Sequence, residues 1–121
     1  MTAAVMIGLA DGYASLSRAV INSAAGGDIL PVAAVAGQII RLYKIWFVVT
    51  AATSITFKDG AGGTALSGPA ALGANAGFVL DLDGQPWYVT SAGNALAINS
   101  SGATQVSGTM YYTQTPNISP P

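Results

Sequence analysis

The chemistry available to this chain is narrow. All five of its acids are aspartates, and it has no cysteine and no histidine. Asp81 and Asp83, spaced two apart in "DLDG", could open a calcium loop. A hard cation wants six to eight oxygens, and an EF-hand would continue with further acids and a distant Glu. No Glu exists here, and a strand ending in an Asp-Gly turn accounts for the same letters. The pair also falls short of glycoside hydrolysis, which needs two carboxylates flanking a cleft, because both lie on one strand edge. Asp59-Gly60 in "KDGAGG" looks like the start of a phosphate cradle, yet neither GK[ST] nor a helical pattern follows it. "GANAG" at 73–77 fails for the same reason. Without Cys and His, the usual zinc sites and the Cys–His and Ser–His nucleophilic pairs are excluded. The expectation is a protein that is not an enzyme, with no catalytic residue, no cofactor and no metal.

Two further motifs have a chemical and a plain reading. In "PWYV", Trp87 and Tyr88 are adjacent, so on a strand they point to opposite faces and only one can enter the core. The other could stack on a sugar or make an intersubunit contact, where Trp and Tyr are enriched. Asn117-Ile118-Ser119 fits the glycosylation pattern, with no secretory context to support it.

The elements that would position such residues read as strands. Turn signals recur at "SAAGGD", "VAG", "KDGAGG", "DLDGQP", "SAGN" and "SSGA", where Gly, Asp and Asn favour tight turns. Between them, Phe78, Leu80 and Leu82 alternate with Val79, Asp81 and Asp83, and Leu96 and Ile98 with Ala95, Ala97 and Asn99. Such half-buried strands belong to antiparallel sheets. The pattern predicts strands over 13–22, 28–35, 38–50, 54–58, 77–82, 86–90, 95–99 and 105–114. Pro31 marks the second as an edge or a bulge. Residues 64–76 read as a loop crossing between sheets, with a short strand at 64–66. The expected fold is all-β, an antiparallel β-sandwich of about eight strands with no long helix, occupying 13–115. Residues 1–12 form an N-terminal arm and 116–121 an extended, Pro-rich tail.

One stretch departs from the alternating pattern. In "QIIRLYKIWFVV", Ile40, Leu42, Trp46 and Val48 form one apolar row, and Ile39, Tyr43, Ile45, Phe47 and Val49 another. A strand with one wet face should not do this. The alternation alone leaves open which row faces inward. Tyr43, Ile45, Trp46, Phe47, Trp87 and Tyr88 are the candidate oligomer-interface residues.

Composition points to assembly as well. Hydrophobic residues make up 51% and charged residues 7%, with a net charge of -1; average globular chains carry about 25% charged residues. So little charge suggests a surface that meets other protein, the plain alternative being an Ala-rich monomer. Four basic residues make no stripe for nucleic acid. No run approaches the 18 or so apolar residues of a membrane span, and "MTAAVMIGLADG" lacks a basic n-region. The expectation is a soluble protein made in the cytoplasm. "AVMIGL" is too apolar for a free solvated tail, so Val5, Met6, Ile7 and Leu9 are candidates for burial on a partner.

A resemblance sharpens this reading. Residues 28–60, "DILPVAAVAGQIIRLYKIWFVVTAATSITFKDG", are followed by "TALSGPAAL", an apolar strand, "PWYVTSAGNALAINSSG" and "VSGTMYYTQT". Over roughly residues 14–114 the chain resembles a group of small structural proteins of tailed bacteriophages, the head decoration or cement proteins. The resemblance implies a jelly-roll-like sandwich and a homotrimer on the outer capsid surface. The partner would be the major capsid protein, and the role would be to stabilise contacts between capsomers. Related modules in head fibres imply the alternative, a surface-binding module for glycans or a host surface. No active-site residue comes with either.

Overall fold

The computed structural model describes residues 16–116, and within them the fold is all-β. The strands are β1 (Ser17–Ser23), β2 (Gly27–Ile29), β3 (Gln38–Val49), β4 (Thr53–Asp59), β5 (Thr64–Ala65), β6 (Ala70–Leu72), β7 (Gly77–Leu80), β8 (Tyr88–Val89), β9 (Leu96–Ser100) and β10 (Val106–Pro116). They form two antiparallel sheets. One has the order β1-β10-β3-β7, with β8 also on β3; the other has the order β2-β9-β4-β5, with β6 also on β4. β5 and β6 share one edge of β4, and β7 and β8 share one edge of β3. Counting each of these pairs as one position gives the interleaved order of a jelly roll, first-eighth-third-sixth over second-seventh-fourth-fifth.

Most of the expected strands appear within a residue or two at their described ends. Two are less than half as long as expected. The chain leaves the second sheet after Ile29, because Pro31 cannot donate to a ladder; as Pro31 also suggested, β2 is an edge strand. The 86–90 segment pairs only through Tyr88 and Val89. The 64–76 segment supplies β5 and β6, and then crosses between sheets at 73–76. There Ala76 N donates to Gly73 O (3.1 Å) and Asn75 takes a left-handed φ of 63°, a conformation that Asn tolerates better than most residues.

The double apolar row in β3 has a local cause. Tyr111 pairs with Lys44 but Tyr112 pairs with Leu42, so Tyr43 is an extra residue opposite β10. This β-bulge shifts the side-chain phase. Ile40 and Leu42 face inward before it, and Ile45, Phe47 and Val49 face inward after it; all five are essentially fully buried. Each apolar row is therefore inward for half its length. Only Trp46 and Val48 are left as exposed large apolar residues on this strand. Ile39 is also buried, but outside the main core cluster.

Those inward residues meet Ile55, Phe57, Leu96 and Ile98 from the other sheet and Ile21, Val106 and Met110 from their own. Aromatic rings bridge the layers: Phe57 of the second sheet packs on Phe78 (5.8 Å between centroids) and stacks on Tyr88 (4.9 Å) of the first, while Phe78 stacks on its cross-strand neighbour Phe47 (5.0 Å). Burying each large side chain contributes about 1.5–3 kcal/mol. Gly108 on β10 lies between Ile21 and Phe47 in register. A Cβ there would collide with the Trp46 carbonyl oxygen and with Phe47, so only glycine permits this approach.

Candidate protein-contact surface

Because β1, β10, β3 and β7 are in register, their outward residues form rows across the sheet. Val20 pairs with Thr109, Thr109 with Trp46, and Trp46 with Val79. In this row Val20 is 69% exposed, Val79 64% and Trp46 42%. Val48, at 40%, lies in the neighbouring row of Asn22, Ser107 and Gly77. The row on the other side runs Arg18, Tyr111, Lys44 and ends at Asp81, whose carboxylate lies 3.3 Å from Lys44 Nζ.

The loop after β7 extends this face. Trp87 donates its backbone N–H to Leu42 O and its indole Nε1–H to Asp81 O, both at 2.7 Å, so its ring is fixed yet remains half-exposed. Val89 pairs with Arg41 on the same edge, and Arg41 donates to Thr115 Oγ1 at 3.0 Å. The Leu82 amide bonds Asp81 Oδ1, and with the Lys44 ammonium it holds the Asp81 carboxyl below its ordinary range. Three of the chain's four cations, Arg18, Arg41 and Lys44, belong to this sheet.

The second sheet presents a different outer face. Asn99 donates to Asp28 (2.8 Å), Gly62 N donates to the same carboxylate (2.6 Å), and Lys58 stands 3.9 Å away. The Asn99 and Gly62 bonds, helped by Lys58, hold Asp28 below its ordinary range against the opposing effect of burial. At the end of β4, desolvation pushes Asp59 up, but bonds from Ser91 Oγ and N and from Asn94 outweigh it and the net shift is downward. These aspartates anchor the 60–63 and 91–94 loops. No group of three or more His, Cys, Asp or Glu able to hold a metal occurs among the described residues.

The sequence candidates therefore separate. Trp46 and Trp87 lie on the outer face, and Tyr43 is the half-buried bulge residue. Ile45, Phe47 and Tyr88 are corrected as interface candidates: the bulge turns Ile45 and Phe47 into the core, and Tyr88 packs on Phe57. Val5, Met6, Ile7, Leu9 and Asn117 lie outside the described residues. Val20, Val48 and Val79 were not singled out from sequence. The signal for Val79 was present, since it alternates with Phe78 and Leu80 on the phase that also holds Asp81.

No protein-family model, curated protein or solved structure matches this chain. No helix among the described residues is long and apolar enough to cross a membrane.

Proposed function

We propose that this is a non-catalytic structural protein of a tailed-phage head, a trimer that decorates the outer capsid surface and stabilises contacts between capsomers. One observation carries the assembly part of this reading: Val20, Trp46 and Val79 form an exposed apolar row across a sheet whose inner face already closes the core. Exposed apolar patches on small proteins mark contact sites. The jelly-roll order and the sequence resemblance support the virion role, and the resemblance supports the trimer. Val5, Met6, Ile7 and Leu9 are the proposed capsid-binding residues. The test is cosedimentation with capsids that lack the protein. The full chain should pellet with them, and a chain beginning at Asp11 should keep its oligomeric state but stay in the supernatant. Full-length protein that fails to pellet contradicts the virion role.

Trp87 favours a second reading. Its half-exposed ring stands beside the polar 81–86 loop, as a sugar-stacking residue would. Retention on a glycan surface that Trp87→Ala abolishes, without capsid binding, would support that reading instead.

A further inference from the structure

The outer face of the β1-β10-β3-β7 sheet has unlike halves. The β1 side ends in Arg18 and Val20, and the β7 side ends in Val79 and Asp81, in the same two register rows. Arg18 has no hydrogen-bond or ion-pair partner among the described residues. Asp81 keeps a side chain 74% exposed despite its contact with Lys44. Arg18 and Asp81 cannot satisfy each other within one chain. Three strand spacings of about 4.8 Å put them about 14 Å apart, beyond the combined reach of the two side chains.

We propose that this face binds a second copy of the same chain, the β1 half of one copy packing on the β7 half of the next. In this arrangement Arg18 meets the neighbour's Asp81 and Val20 meets its Val79. Tyr111 is then set against Lys44, so its ring can take the cation, and Trp46 is covered by the small Thr109. Both the charge pattern and the apolar row favour this occupant. A like-on-like contact, β1 half against β1 half, would oppose two copies of Arg18. A heterologous contact between unlike patches generates a ring where its rotation closes; closure at three copies, and not as a two-fold pair, rests on the proposed trimer.

The chain has no cysteine, so introduced thiols are unique reporters. Full-length V20C/V79C protein, purified without capsids, would be treated with a short bismaleimide and resolved under denaturing conditions. The proposal expects covalent species up to three linked chains, with V20C alone and V79C alone remaining single chains. Products that stop at two chains would overturn the ring. Efficient linking of V20C alone would overturn the unlike-half contact. Absence of linking in the double variant would overturn self-association through this face, and would point to another occupant such as the chain's own preceding segment. Light scattering and circular dichroism on the uncrosslinked variant confirm that it assembles and folds. Capsid pelleting is scored separately, so loss of cross-linking with pelleting intact fails this inference alone.

Discussion

On the β2-β9-β4 sheet, the outward row reads Asp28, Asn99, Thr56. On the β1-β10-β3-β7 sheet, an outward row reads Val20, Thr109, Trp46, Val79. Both sheets bury their other face in the same core. The first row is bonded within the chain: Asp28 takes Asn99 and the Gly62 amide, and Lys58 stands beside it. The second carries large apolar groups that remain exposed. Alternation alone explains a buried inner face; it does not explain why one outer row is polar and bonded while the other exposes large apolar groups. The outer row of one sheet serves folding through polar bonds. The Val20–Val79 row of the other makes no such bond and stays exposed, beside a row in which Lys44 meets Asp81.

The largest expected effect separates the inside of that second sheet from its outside. Phe47→Asp removes a ring stacked on Phe78 and places a charge in the core. Losing the ring alone costs about 3–5 kcal/mol, against a total stability of about 5–15 kcal/mol, and the buried charge adds to this. Circular dichroism should show no cooperative melt. A folded Phe47→Asp protein would contradict the bulge-shifted phase. Gly108→Val comes next. Its side chain would force β10 from β3, costing on the order of 3 kcal/mol, with a fall in melting temperature of roughly 10 °C or more. An unchanged melt would show that the two strands do not approach so closely.

A smaller effect tests the polar sheet. Asp59 has a folded pKa below its unfolded value. Its contribution is therefore full above the ordinary aspartate value of about 3.9 and fades as pH falls through the lower folded value. Asp59→Asn should cost about 1–2 kcal/mol at pH 7. The gap from the native chain should close as the pH drops below about 4. A gap that does not change with pH would remove the carboxylate from the account. Smallest of all is the effect of a chelator: the melting temperature should not move. A fall of about 10 °C, equivalent to several kcal/mol in a domain this size, would restore a metal-loop reading of Asp81 and Asp83.

Much of this was legible in the sequence because it is periodic or local. Turn residues marked most strand ends, and Pro31 marked an edge. The adjacency of Trp87 and Tyr88 required one of them to lie outside, though not which one. The phase of β3 was not legible. A bulge at Tyr43 depends on the register against Tyr111 and Tyr112, more than sixty residues away. Without it the two apolar rows look equivalent, and Ile45 and Phe47 look as available for contact as Trp46. The exposed row was hidden for a related reason: its members come from four strands, and only pairing brings Val20 beside Thr109 and Val79 beside Trp46.

The central claim, that one sheet's outer face is the assembly face, is tested most directly by light scattering on the native chain and on Trp46→Asp at micromolar concentration. Trp46 is outward and half-exposed. Surface substitutions away from special features usually change the stability of a chain's own fold by no more than about 0.5 kcal/mol, so the variant should still melt cooperatively. The account predicts a native mass near three times the 12.1 kDa chain, and a single-chain mass for the variant. A native chain that is monomeric, or a Trp46→Asp protein that keeps the native mass, would contradict it.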